Sequence, residues 1–358
     1  MAIGRRSVRS VSRQAIQVGF VPLIDAAPLI VAKEMGYFAD EGLDVQLERQ
    51  VGWGNVRDKL SYGQLSASHA PIGMPPASVA GVELFPEPLV SLMSLGTGGN
   101  AITVTTRLGE MADGPASPTT WRRFLGRPLR MAHVSASSTH HYLLRDYLAT
   151  GGLDPDRDTN LCVMPPPQLV GHLEIDSLDG FCVGEPWNTL AMLERRGTIV
   201  AATTELKADH PEKVLAVTRP WFEKNRPVAE SLVRATVRAC DFCDDVANRG
   251  RLTEILAHRS YLSLDEAVIS KSLSIDEWYR RVPRRPRFRS FARSATVPRL
   301  QDAEWIVRKM IRWGQLPRDV DAGRIAAASM VAEPYAEAVA TLKTTAPEPA
   351  ALVAGASE

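Results

Sequence analysis

Short apolar runs and helix-period stretches alternate along most of this chain. An apolar run over residues 15–21 turns through Pro22 and Asp25 into a helix-period stretch. That stretch leaves at Gly36-Tyr37-Phe38, and a second run follows over residues 43–47. The pattern predicts a strand–helix–strand unit that points the unpaired N–H groups of its helix above the end of the first strand. Helices over 55–62 and 76–82 and strands over 67–72 and 89–95 follow. Gly96-Thr97-Gly98-Gly99-Asn100 then interrupts the alternation before a strand over 101–105. Glycine admits backbone angles closed to other residues, so this crossover suits a hinge between two lobes.

A second alternating block covers residues 130–202, with strands over 130–134, 160–164 and 180–183 and helices over 139–150 and 186–195. A strand over 214–218 brings the chain back, and helices over 227–248, 252–258, 264–272 and 301–313 complete it. Alternation of this kind reads as α/β with mostly parallel sheets. The expected organisation is a flexible N-terminus (1–15), a discontinuous first lobe (16–102 and 213–331), a second lobe (103–212) and a disordered tail (332–358), whose end is rich in Ala, Pro and Thr.

A length of 358 residues favours two domains over one core, and 45% apolar residues can fill both. The net charge of +1 argues against a dedicated nucleic-acid binder. Seven arginines (280, 281, 284, 285, 287, 289 and 293) crowd a proline-broken segment. It reads as a solvated loop, with a contact surface for an acidic partner as the alternative. The first 14 residues carry Arg5, Arg6, Arg9 and Arg13 without an apolar stretch, and the expectation is a cytoplasmic protein. Cys162, Cys182, Cys240 and Cys243 are expected to be reduced; Cys240 and Cys243 have C-x-x-C spacing in a helical run without a second pair. No G-x-S-x-G, H-E-x-x-H or phosphate-binding loop occurs, so a binding protein is expected rather than an enzyme, with no cofactor.

Several local signatures follow one another: Gly52-Trp53-Gly54, His69-Ala70-Pro71, Gly98-Gly99-Asn100, Ser138-Thr139-His140-His141, Gly180-Phe181-Cys182-Val183-Gly184-Glu185-Pro186-Trp187 and His210-Pro211-Glu212-Lys213. In kind and order they resemble the nitrate/nitrite-binding proteins of the NrtA/CmpA/NasS family, which are ABC-transporter-type substrate-binding proteins. The resemblance runs over about residues 18–313. It implies a two-lobe type II periplasmic-binding-protein-like fold with a cleft between lobes. It also implies an anion site of Trp53, Asn100, His140, Gly184 and Lys213, backed by His69, Pro71, Glu185 and Trp187. Asn100 stands where transporter-type members place a glutamine, one methylene longer. Nitrate is planar and accepts hydrogen bonds only, so neutral donors, an aromatic face and the single charge expected here, Lys213, suit it. The function implied is a cytoplasmic nitrate/nitrite sensor of the NasS type that holds an ANTAR-type, NasT-like antiterminator until its ligand arrives. The alternative is the substrate-binding component of a nitrate, bicarbonate or sulfonate ABC transporter, with a permease and ATPase as partners. An enzyme of thiamine-pyrimidine synthesis on the same fold would need metal or cofactor residues that are not found.

Overall fold

Two mixed sheets organise the chain in the computed structural model, which describes residues 15–112, 114, 117–279 and 287–345. The first sheet holds β1 (Ile16–Phe20), β2 (Val45–Arg49), β3 (Ala67–Pro71) and β4 (Leu89–Gly98), together with β10 (Pro211–Thr218) and β11 (Arg289–Ser290), in the order β11-β4-β10-β3-β1-β2. The second holds β5 (Asn100–Thr105), β6 (Leu129–His133), β7 (Thr159–Val163), β8 (Gly180–Gly184) and β9 (Gly197–Ala202), in the order β7-β6-β8-β5-β9. Helices cover both sheets, giving the two-lobe α/β architecture.

The sheets are less parallel than the alternation predicts. β1 runs parallel to β2 and β3, and β6 to β7 and β8, but β10 is antiparallel to β3 and β4, and β5 to β8 and β9. The exceptions are the strands that follow each crossing and the short β11, which runs antiparallel to β4. β5 and β10 enter their sheets from the interlobe side, where β8 and β3 end, so they run against them. Asn100 pairs with Gly184, and Lys213 with Pro71, at those cleft ends.

The carboxy-terminal tail differs as well. Residues Glu333–Thr345 form a helix, and Tyr335 and Ala338 are buried in the same apolar cluster as Leu232, Ala235 and Ala239 of the helix Arg226–Asp244. Its alanines and prolines suggest a frayed end in isolation, but burial of its apolar face against a long neighbour decides the outcome. The disorder expected of residues 346–358 and the flexibility expected of residues 1–14 concern positions outside the described residues.

One apolar cluster crosses between lobes. It joins Trp53, Val214 and Ile306 of the first to Val134, Phe181 and Trp187 of the second. The lobes meet closely at Gly73, where a β-carbon would lie 1.8 Å from the Ser137 carbonyl oxygen. Trp187 Nε1 donates to the Pro22 carbonyl at 3.1 Å, and Ile24 N–H to the Glu185 carbonyl at 2.8 Å, so each lobe hydrogen-bonds backbone of the other. This is a closed arrangement.

Candidate functional site

The cleft ends of the strands deliver the site. β1 leads through Pro22 into a short 3-10 turn, Ile24–Ala26, that carries Asp25. β3 supplies His69, and β10 supplies Glu212 and Lys213. The helix Trp53–Ser61 starts at Trp53 itself, two residues earlier than the sequence pattern places it, with Gly52 as its extended cap. From the second lobe come Asn100 at the start of β5, Gly184 at the end of β8 and His140 in the first turn of the helix Thr139–Thr150. Ser138 caps that helix, its hydroxyl accepting from His141 N–H at 3.2 Å. The five residues implied as ligands therefore converge, although they span 161 positions (53 to 213) of the chain.

At the centre lies the Lys213 ammonium, only 1% exposed. It donates to Asp25 Oδ2 at 2.8 Å and to Glu212 Oε1, and its Nζ is 3.2 Å from His140 Nε2. His140 Nε2 is 2.8 Å from Glu212 Oε1, and Asn100 Nδ2 donates to Glu212 Oε2 at 2.5 Å. Lys213 also faces the Trp53 ring, 5.6 Å from its centroid, and that ring packs on His69 at 4.9 Å. Val21 N–H donates to His69 Nδ1, which leaves Nε2–H to donate to Asp25 Oδ1 at 2.8 Å. At Gly184 a β-carbon would sit 3.3 Å from Asn100 Oδ1 and 3.4 Å from Asp25 Oδ2, so glycine keeps this wall low.

Two carboxylates thus share the ammonium, and this corrects the sequence reading of Lys213 as the only full charge. Burial pushes the Asp25 carboxyl up, but Lys213 and His69 outweigh it and hold it well below the usual carboxylate range. Burial likewise opposes ionisation of Glu212, and Lys213 and His140 hold it well below that range too. Lys213 is displaced upward: desolvation pulls it down, and the two carboxylates more than compensate. Both acids adjoin motif residues in the sequence, Glu212 as the immediate neighbour of Lys213 and Asp25 in the strand-to-helix turn. A carboxylate beside a lysine ordinarily reads as surface, and only the fold reveals its burial.

The remaining implied residues act around this centre. Pro71 pairs with Lys213 in the sheet, and Trp187 bridges the lobes. Glu185 is fully buried; its Oε2 accepts from Thr189 N–H at 3.2 Å, and burial displaces it upward. Trp53 Nε1, His140 Nδ1, Asn100 Oδ1 and Glu185 Oε1 are buried without a hydrogen-bond partner among the described residues. That is a concentration of unused donors and acceptors around one point. Among the described residues no group of three or more His, Cys, Asp or Glu side chains is placed to hold a metal, and no helix is long and apolar enough to cross a membrane.

The arginine-rich segment is not uniformly a solvated loop. Arg287 pairs with Asp244 at 3.0 Å and Arg293 with Asp241 at 2.7 Å on the surface, but Arg289 is buried against the Gly96–Asn100 crossover. Its guanidinium shares a crevice with Asp25, Glu212 and Lys213 that is too tight to admit a water molecule. Arg280, Arg281, Arg284 and Arg285 lie outside the described residues.

Known proteins resemble this one over most of its length. A sequence profile of the NMT1-like family matches residues 10–257. The bicarbonate transport ATP-binding protein CmpC of Synechococcus elongatus is 34% identical over 326 residues, covering 88% of this chain and 48% of that protein. The chain therefore spans about half the length of CmpC. The nitrate/nitrite binding protein NrtA of Nostoc is 32% identical over 317 residues, covering 85% of this chain and 71% of NrtA. Among solved structures, the periplasmic nitrate-binding protein NrtA of Synechocystis superposes with a TM-score of 0.87 at 27% identity, over 92% of this chain and 89% of that one.

Proposed function

This chain belongs to the NMT1-like family, and from that membership we propose that it binds nitrate or nitrite in the interlobe cleft as the substrate-binding part of an ABC import system. The observation that carries the reading is the buried Lys213 ammonium, 3.2 Å from His140 of the second lobe and 5.6 Å from the Trp53 ring centroid, with Asn100 bonded to the Glu212 that pairs with it. A cation in a dry interior attracts an anion far more strongly than one in water. Neutral donors around it suit a weakly hydrated, acceptor-only ligand. The apposition of the lobes then buries the ion, since both contribute contacts to it. Because the crevice is filled by its own side chains, entry requires the lobes to part and Asp25 or Glu212 to yield its place on Lys213.

Isothermal titration of the metal-free protein with nitrate, nitrite, bicarbonate and methanesulfonate tests this. One-to-one binding of nitrate or nitrite supports the reading, and bicarbonate or methanesulfonate binding with nitrate silent overturns it. Gel filtration with an ANTAR-type regulator addresses the partner. A complex that nitrate dissociates would place the same closure in a cytoplasmic sensor instead of an importer.

A further inference from the structure

The strap formed by residues 288–291 crosses the hinge. β11 joins the edge of the first sheet, pairing Arg289 with Gly98 and Ser290 with Thr97. The crossover glycines adopt left-handed angles there, with φ of +66° at Gly98 and +95° at Gly99. A β-carbon at Gly98 would meet the Phe288 carbonyl oxygen at 2.2 Å, and one at Gly99 would meet Arg289 Nε at 2.5 Å. Only glycine allows the strap to approach so near. The Arg289 side chain is thereby pressed onto the entrance to the second lobe. Its Nη2 donates to the Gly99 carbonyl at 3.0 Å, the same oxygen that accepts from Glu185 N–H at 3.1 Å.

That single carbonyl does not satisfy a guanidinium. Arg289 Nε is buried without a partner, and among the described residues no carboxylate lies within ion-pairing distance. The charges that act on it are Asp25, Glu185, Asp276 and Glu212, two of which already pair with Lys213. A buried guanidinium with one hydrogen bond among the described residues and the Phe288 and Phe291 rings 5.7 and 6.0 Å away, on the wall of a crevice whose other cation is occupied by carboxylates, is poised for a ligand more than for structure.

Resting on the anion reading above, we propose that Arg289 is the second cation of the site, and that its fork makes the site selective for oxyanions that present two oxygens to it at once. When the ligand enters, Lys213 takes it from the β10 side and Arg289 from the strap side. A fork binds two oxygens of one anion at once, which a monatomic anion cannot offer, because paired N–H donors need paired acceptors at matching spacing.

The test uses the full chain and calorimetry with nitrate, bicarbonate, methanesulfonate and chloride. Arg289→Met should weaken nitrate at least thirtyfold and lower the preference for nitrate over chloride. Arg289→Lys, which keeps the charge and loses the fork, should remain about tenfold weaker than the parent. Arg287→Met removes the same unit charge from the same strap where it is exposed and paired to Asp244, and should leave nitrate affinity within threefold. Arg289→Lys binding like the parent, or Arg287→Met weakening nitrate as much as Arg289→Met, overturns the proposal. Should Arg289→Met fail to fold by thermal melting, the comparison of Arg289→Lys with Arg287→Met decides. If the parent takes bicarbonate or methanesulfonate and not nitrate, the function proposed above fails while Arg289 is still judged, on the anion that binds. If the parent binds no anion, both fall.

Discussion

His140 and His141 are consecutive residues of one helix and occupy two different kinds of interior. A turn of about 100° per residue separates neighbouring side chains on a helix, so the first faces the cleft and the second faces back into its own lobe. His140 sits among full charges, against Glu212 and Lys213. His141 Nδ1 is 3.0 Å from His133 Nε2, and His133 Nδ1 lies 3.1 Å from the Ser135 carbonyl. That chain of contacts has one consistent reading: His133 donates from Nδ1 to the carbonyl and accepts at Nε2 from His141, with both rings neutral. Burial, reinforced by neighbouring positive groups, pushes His133 down to about 4 and His141 down to about 2. The cleft keeps charges because opposite ones converge there; the lobe interior keeps neutral rings because nothing compensates a proton. A polar interior can therefore be built for binding or for cohesion, and the sign and number of its charges distinguish the two.

The largest expected effect comes from taking the cation out of the cleft. Lys213→Met should weaken nitrate by about a hundredfold, close to 3 kcal/mol. It should also lower stability by roughly 3–5 kcal/mol, because Asp25 and Glu212 lose their common partner. Calorimetry reads the first and denaturant unfolding the second; unchanged nitrate binding would remove Lys213 from the site. Next in size is Gly73→Ala. The added methyl cannot coexist with the Ser137 carbonyl 1.8 Å away, so the lobes should stay apart. About a tenfold loss of nitrate affinity and a larger radius in solution scattering, with unchanged far-ultraviolet circular dichroism, is the expected outcome.

The two histidines themselves give the third comparison. His140→Gln should cost about tenfold in nitrate affinity, roughly 1.4 kcal/mol, and His141→Gln less than twofold. Equal losses would show that the helix, and not the side chain facing the cleft, is what matters. The effect that vanishes at neutral pH is one of acid stability. His133 and His141 bind protons in the unfolded chain near pH 6.5 and resist them when folded, so the unfolded state takes up more protons as pH falls. Stability should thus be full above about pH 6.5 and decline toward pH 4, by about 1.4 kcal/mol per pH unit for each histidine titrating. Asp25 and Glu212, displaced the other way from the lysine, lose their contribution only below the ordinary carboxylate range. His141→Gln should roughly halve this decline between about pH 6.5 and pH 4 and remove the histidine part of it below pH 4, read in urea titrations at successive pH values.

Much of this was legible in the order of motifs. The strand–turn–helix signals around Trp53, Ser138, Gly184 and Lys213 are local, and local chemistry places a residue at a strand end or helix start. Such places face the cleft once the sheets form. Burial of charge was not legible, because it depends on residues remote in the chain. Arg289 looks like any arginine in a basic run until Gly99, 190 positions earlier, brings its carbonyl against it. The helix Glu333–Thr345 is the same lesson in apolar form, since its burial is set by the face of the helix Arg226–Asp244. The antiparallel strands after each crossing follow from topology and leave no mark in the hydrophobic pattern.

The entry of β10 has an implication for how this site can change. Side chains on a regular strand alternate sides, so residues 212 and 213 should face opposite ways. The pairing of β10 with β4 slips between Pro211 and Lys213 and again between Lys213 and Val214, and the two neighbours meet at one point instead. A substitution at either position alters the chemistry of that point but leaves both side chains directed to it. Removing a single residue there would restore regular alternation and turn one of the pair away, dissolving the cluster without changing any of its members. The cluster is thus tolerant of new chemistry and brittle to changes in length: a replacement at 212 or 213 alters what it holds, while an in-frame deletion beside them disperses it.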